Sequence, residues 1–219
     1  MSRLDLLWAG KLGSDYARQN AAVGPEGVDA HWWPMLRRSR VEIDRRNLAD
    51  IPRTARVLEV GCGVGNMMAC LFEHGFCNVY GCDINPDAVD ICEGRGFMEV
   101  REANASKLPF ADGSFDLVYT SALLIHIAPE MLPAVQREIA RVSRRWVYGY
   151  EYYASSQVSR ESTLGGLVPQ GVPGFTHKGP FCNLYLLNVP GLSVVKQERV
   201  FHGDGSGNAD EAFLLEKGN

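Results

Sequence analysis

Between Val57 and Asn66 the chain reads Val-Leu-Glu-Val-Gly-Cys-Gly-Val-Gly-Asn, an apolar run that breaks into alternating glycines. Glycine adopts turn conformations that cost other residues, and its missing side chain lets backbone approach a ligand closely. Where a buried strand hands over to a helix, such a turn is the place at which an open α/β sheet binds a nucleotide-like ligand. The dinucleotide pattern G-x-G-x-x-G would need a third glycine at the position held by Asn66. A phosphate-cradling NTPase loop would need Lys-Ser/Thr after the turn, and none follows. Asp83, closing the next apolar run, is the second chemical position. A carboxylate makes charge-assisted hydrogen bonds, about twice as strong as neutral ones.

Other groups could act on an acceptor. His126 follows a third apolar run, and histidine titrates near neutrality, so it is the first candidate to take a proton. Glu151, Tyr152 and Tyr153 leave a later run at the same edge, where a carboxylate and phenols could grip a cationic or hydroxylated molecule. His177, with Lys178, lies in the stretch Ser155 to Gly179. Trp8, Leu12 and Tyr16 recur at fourfold spacing, a packed helical stripe from which Trp8 and Tyr16 could also close over a ligand. Trp32-Trp33 is assigned to the core. Arg37-Arg38 with Arg40, and Arg144-Arg145, read as solvated helix faces. Cys62, Cys70, Cys77, Cys82, Cys92 and Cys182 show no CxxC spacing, so free thiols are expected and neither a metal nor a disulfide framework.

The elements that must position these groups follow from periodicity. From Ala55 short β-branched runs alternate with amphipathic helix-length segments, the mark of βαβ units around a parallel sheet. Strands are expected at Arg56–Val60, Asn78–Asp83, Phe97–Arg101, Phe115–Thr120 and Arg145 to about Tyr150. The first helix carries Met67, Met68, Leu71 and Phe72 on its apolar side. The second starts at Asn85-Pro86-Asp87 with Asn85 as cap and runs to about Arg95, and the third spans Pro129–Val142. The Ser-, Gly- and Pro-rich stretch from Ser155 to Gly179 shows no sustained period and reads as a long functional loop or lid. Val194–Phe201 and Glu211–Lys217 form a closing hairpin around His202 to Asn208. Arg3–Asn20 and Trp32–Asn47 read as helices without an intervening strand, an N-terminal helical cap. The expectation is one α/β domain over 1–219, with a cap at 1–50, a cofactor-binding half at 55–150 and an acceptor-side loop and closing hairpin at 151–219.

Class exclusions come from charge and length. A chain of 219 residues with net charge −4 and no run of Lys/Arg with interleaved aromatics offers no footprint for nucleic acid. No apolar run approaches the roughly 20 residues of a membrane span, and the N-terminus lacks signal-peptide order. A cytoplasmic protein, monomer or homodimer, with a small-molecule acceptor and neither nucleic-acid nor membrane partner is expected.

From Arg56 to Tyr150 the sequence resembles the class I S-adenosylmethionine-dependent methyltransferases. The resemblance implies a Rossmann-like, seven-stranded, mostly parallel sheet with a terminal antiparallel strand, and S-adenosylmethionine as cofactor. It implies that Glu59, Gly61, Cys62, Gly63 and Gly65 line the site of the methionine moiety, a zwitterion that needs no phosphate cradle. Asp83 then corresponds to the acid that accepts both ribose hydroxyls, and Ile84 to the residue packed on adenine. Ala103-Asn104-Ala105 corresponds to the adenine-edge loop, where Asp is common, so Asn104 would meet the exocyclic amine through its amide oxygen. Thr120 and Ser121 begin the segment, running on through His126, whose backbone passes the sulfonium.

Trp8 to Tyr16 with Asn20, Glu151-Tyr152-Tyr153, and the ending Phe213 to Lys217 are similar to methyltransferases associated with pseudaminic acid biosynthesis, although the middle of the long loop departs from that set. The similarity implies a small polar acceptor, such as an amino sugar or a related natural-product intermediate, methylated on nitrogen or oxygen. Two other readings remain: a NAD-dependent oxidoreductase, disfavoured by Asn66, and a non-catalytic S-adenosylmethionine-binding protein.

Overall fold

Arg56–Val60 forms strand β1, and its last four residues are buried, since apolar side chains point to both faces of a covered parallel sheet. The computed structural model describes residues 1–23, 26–96, 99–160 and 176–218. After β1 come α5 (Asn66–Glu73), β2 (Asn78–Asp83), α6 (Pro86–Glu93), β3 (Val100–Glu102) and β4 (Phe115–Ser121). A 3₁₀ turn (Leu124–His126), α7 (Leu132–Val142), β5 (Ser143–Tyr153), β6 (Val158–Arg160), β7 (Thr176–Lys178), α8 (Phe181–Asn188), β8 (Leu192–Phe201) and β9 (Ala209–Lys217) follow. Four helices precede the sheet: α1 (Arg3–Ala9), α2 (Lys11–Val23), α3 (Val28–Leu36) and α4 (Arg40–Asn47).

The main sheet has seven strands in the order β3-β2-β1-β4-β5-β9-β8. β1 to β5 pair in parallel, whereas β9 runs antiparallel to both its neighbours, as a hairpin joined to β8 requires. This is the expected Rossmann-like sheet. Strand order reverses between β1 and β4, so the connections leaving these two strands diverge and open a crevice at their carboxyl ends.

The two faces pack different helices. Val57, Val79 and Leu117 bury against Ile43 and Leu48 of the α4 region and Leu71 of α5. Leu58, Val118 and Val147 bury against Val135 and Ile139 of α7 and Phe181 of α8. Each fully buried Val, Leu or Ile contributes about 1.5–3 kcal/mol. The six cysteines are free thiols, all buried except Cys77.

Several boundaries differ from the sequence reading, each for a local reason. Arg3–Asn20 is two helices, because Gly10 is extended (φ −100°, ψ −158°) and the carbonyls of Trp8 and Gly10 are taken by the Asn85 amide. Trp32–Asn47 is also two, divided at Arg37 in the left-handed region and restarted by Ser39, whose side chain accepts the Glu42 amide at 2.9 Å. The third strand starts at Val100 rather than Phe97, and residues 97–98 lie outside the described residues. The α7 helix begins at Leu132, with Pro129 in the preceding turn, and β5 extends to Tyr153 because β9 pairs along it as far as Ala209. Helix α8 carried no sustained sequence period and was not anticipated.

Burial corrects two further assignments. Trp33 is 50% exposed and is no core residue, while Trp32 is half-buried against Tyr150 and Tyr152. Arg40 is fully buried rather than solvated. In the long stretch, β6 and β7 pair antiparallel from Val158↔Lys178 to Arg160↔Thr176. The lid reading falls chiefly on residues 161–175, which lie outside the described residues.

Candidate functional site

A cavity sits over the crevice, floored by the ends of β1, β2 and β4 and roofed by α1, α2 and α3. Its floor begins with the glycine turn. Gly61, Gly63 and Gly65 have φ of 72°, 51° and 80°, the left-handed region that glycine occupies without penalty. The positions differ in their surroundings. A Cβ on Gly61 would meet Leu123 Cδ1 at 2.7 Å, whereas one on Gly63 would meet nothing within 4 Å. Gly65 caps α5 and lies outside the cavity wall.

Asp83 closes β2 directly beside this turn. Its Oδ2 accepts the Gly63 amide at 2.8 Å and its Oδ1 the Asn85 amide at 2.9 Å. Burial raises the Asp83 carboxyl above its ordinary range, and the amides of Asn85, Gly63 and Ile84 oppose that rise. An ionised carboxylate has about four lone-pair sites, so acceptor capacity remains beyond these three amides. Glu59 is buried in the floor, and burial drives its carboxyl well above the usual range. Its Oε2 has no hydrogen-bond partner among the described residues.

Asn85 has a larger role than the helix cap read from sequence. Its Oδ1 accepts the Ala88 amide at 3.0 Å, while its Nδ2 donates to Trp8 O at 2.9 Å and Gly10 O at 3.2 Å. One side chain thus starts α6 and ties α1 onto the sheet. Trp8 and Tyr16 then stand edge to face at 5.3 Å, with Trp8 4.5 Å from the His126 ring. The fourfold spacing is real, but Trp8 lies on α1 and Leu12 and Tyr16 on α2.

On the adenine-edge side, Ala103, Asn104 and Ala105 border the cavity near Ile84. The amide oxygen of Asn104 is turned onto its own loop, accepting from Ser106 N at 2.8 Å and Ser106 Oγ at 2.7 Å. Both lone pairs of that oxygen are engaged, which departs from the expected contact to an exocyclic amine. Ser121 ends β4 at the wall, and Ala122 follows with φ 52°, a left-handed value costly for a residue with a Cβ.

The remaining acceptor-side residues divide. His126 lines the cavity; Glu151, Tyr152, His177 and Thr120 do not. Glu151 is fully buried and turns inward, its two oxygens accepting the amides of Leu123 at 3.2 Å and Leu124 at 3.1 Å. Burial pushes its carboxyl up to about 8. Tyr152 packs on Trp32 with the Lys178 ammonium 5.2 Å from its ring centre, and His177 is buried on β7, which lies against the turn Leu124–His126. Burial lowers the His177 imidazole below its ordinary range.

The charges facing the cavity are one-sided. Asp5, Glu59 and Asp83 line it with His31 and His126, and among the described residues no Lys or Arg does. Sequence reasoning missed Asp5 and His31, whose only sequence signal was their place in the cap helices, while Asn20 and Leu123, named there only within longer resembling segments, also line the cavity.

Residues 58–146 match the family described as "Methyltransferase domain". A "Methyltransferase GfsG" of Streptomyces halstedii is 33% identical over 102 residues, 43% of this chain and 36% of that protein. The chain spans little more than a third of the length of the first curated relatives it matches. Among solved structures, the 1,6-didemethyltoxoflavin-N1-methyltransferase of Burkholderia thailandensis, with bound 1,6-didemethyltoxoflavin and S-adenosylhomocysteine, superposes with a TM-score of 0.64 at 16% identity. The match covers 94% of this chain and 89% of that one. The [4+2]-cyclase SpnF superposes with a TM-score of 0.64 at 17% identity over 81% and 79% of the two chains. At these identities the likeness to solved structures is one of fold.

Proposed function

We propose that this chain moves the methyl group of S-adenosylmethionine to a nitrogen or oxygen of a small polar metabolite. One observation carries the reading: the left-handed glycine turn after β1 and the acid ending β2 share a cavity and are joined by the 2.8 Å bond from Gly63 N–H to Asp83. Asp83 keeps acceptor capacity beyond its backbone amides, which a ribose hydroxyl can use. The open space at Gly63 admits a ligand against bare backbone. Glu59 Oε2 is placed to take an ammonium. Among the described residues no Lys or Arg lines the cavity to neutralise the pyrophosphate of a dinucleotide, which tells against the NAD reading.

When bound, the cofactor supplies an electrophilic methyl on a positively charged sulfur. The work left to the protein is to align acceptor and methyl and to exclude water. In this proposal Gly61, Cys62 and Glu59 hold the methionine end, Asp83 the ribose, and Ile84 with the loop Ala103–Ala105 the adenine, Asn104 shaping that loop through Ser106. Trp8 and Tyr16 close the roof, and Ser121 with the following backbone forms the wall at the reacting atoms. His126 takes the acceptor proton, being the acid–base group of the acceptor set that borders the cavity. Glu151 acts from behind that wall, and Tyr152 and His177 act through Trp32 and the turn bearing His126. The similarity of Trp8 to Tyr16 and of Glu151 to Tyr153 to the pseudaminic acid-associated set supports an amino sugar or a related intermediate.

Calorimetry with S-adenosylmethionine and S-adenosylhomocysteine tests the cofactor half. Both bind the native protein, and Asp83→Ala weakens each by about 1–3 kcal/mol, the range for losing a charged hydrogen-bond partner. Unchanged binding removes Asp83 from the site, and no binding by the native protein ends the reading. Labelled cofactor with a metabolite extract tests transfer; tight binding with persistent silence would favour a non-catalytic binding protein.

A further inference from the structure

Arg40 has 0% of its surface exposed, lying between α4 and the strands β4 and β5. Its guanidinium pairs with Asp44 one helical turn on. Nη2 donates to the Tyr119 hydroxyl and to Ser121 Oγ, each at 3.1 Å, and the group lies 3.5 Å from the centre of the Tyr150 ring. Asp44 in turn accepts the Tyr119 and Tyr148 hydroxyls, both at 2.6 Å. Taking a cation wholly out of water is costly, and buried ion pairs are often replaced by apolar side chains with no loss of stability. Stability by itself therefore does not account for this cluster.

What the cluster reaches is the cavity. Ser121 lines it and is the last residue of β4. The next residue, left-handed Ala122, is held by one backbone bond from its amide to Tyr150 O at 2.9 Å. Arg40 thus touches both anchors of the strained wall, the Ser121 hydroxyl and the Tyr150 ring. The chain of contacts continues from the Tyr150 hydroxyl to Asp210 at 2.9 Å and from Asp210 to His202 at 3.1 Å, at the start of the β8–β9 connection.

We propose that Arg40 is a positioning residue, a buried guanidinium that holds the end of β4 through Ser121 and so sets the wall of the cavity from the helical cap. Its planar fork meets Asp44, Tyr119 and Ser121 together, which the single ammonium of lysine does not reproduce. The inference rests on the proposed function only in taking S-adenosylhomocysteine as its probe.

The test uses the full chain and three variants. Arg40→Met with Asp44→Leu removes both charges at once, Arg40→Lys keeps the charge and loses the fork, and Ser121→Ala removes only the grip. Amide hydrogen exchange of ligand-free protein is read at Ala122, Leu123 and Leu124, with β1 and β2 as internal reference, and S-adenosylhomocysteine binding is measured by calorimetry. Exchange at 122–124 should rise about tenfold in the double variant and in Ser121→Ala while β1 and β2 stay unchanged, with binding about tenfold weaker. Arg40→Lys should fall between them and the native protein. Exchange at 122–124 equal to native, or a rise shared evenly by β1 and β2, overturns the proposal. If the double variant does not fold, Ser121→Ala and Arg40→Lys decide. If the native protein fails to bind S-adenosylhomocysteine, the cofactor reading falls and the exchange comparison still judges Arg40.

Discussion

Glu151 accepts the backbone amide of Leu124 at 3.1 Å from the far side of the cavity wall, with no surface of its own exposed. The carboxylate read from sequence as facing an acceptor is instead a clamp on the turn that presents Leu123 and His126 to the cavity. That reversal makes Glu151 a probe of stability against pH.

Burial pushes the Glu151 carboxyl up to about 8, from an ordinary value near 4.5. Below the unfolded value both states are protonated and the folded state bears no penalty. Between about 4.5 and 8 the unfolded chain loses the proton that the folded chain retains, so stability declines as pH rises. The decline approaches about 1.4 kcal/mol per pH unit in mid-window. Glu151→Gln has no such titration. Urea unfolding of both proteins at pH 5, 6.5 and 8 should show the native protein losing ground to the variant with rising pH; parallel pH profiles would remove this account of Glu151.

The first two glycines of the turn should part company. Gly61→Ala puts a Cβ 2.7 Å from Leu123 Cδ1 in left-handed backbone, so a loss of about 1–3 kcal/mol in stability is expected. Gly63→Ala meets no atom and should lose only about 1 kcal/mol, yet its methyl enters the space proposed for the ligand. Paired melting and calorimetry should therefore find Gly61→Ala the less stable and Gly63→Ala weaker in S-adenosylhomocysteine binding than its stability implies. S-adenosylhomocysteine binding by Gly63→Ala equal to that of the native protein would place the ligand elsewhere.

Asn85→Asp separates the two duties of Asn85. Aspartate caps α6 as well as asparagine does, but it cannot donate to the carbonyls of Trp8 and Gly10 and sets a carboxylate against them. A loss of about 1–3 kcal/mol is expected, with tryptophan fluorescence reporting the freed Trp8. Asn85→Ser, a cap of similar quality, should show the same loss of the α1 tie without the repulsion. Native-like stability and fluorescence in both would mean that α1 docks without Asn85.

Most of the sheet was legible from local signals. Strands Arg56–Val60 and Asn78–Asp83, the Asn85 cap and the glycine turn follow from side-chain period and glycine's backbone freedom, which belong to a few neighbouring residues and need no knowledge of the rest. The position of Asp83 beside that turn was implied by the family resemblance, and the pairing of β2 with β1 places it there. What the sequence could not determine was the partner of each polar side chain. Arg40 looked solvated because it stands among arginines, and Glu151 looked outward because it ends a strand. Their fates are set by Tyr119 and Ser121, about 80 residues along the chain from Arg40, and by the amides of a turn 27 and 28 residues before Glu151. The splitting of the cap helices has the same origin, since the carbonyls of Trp8 and Gly10 are claimed by a residue on the sheet. Burial of a charge is decided by what packs across from it, and only the tertiary structure brings those groups together.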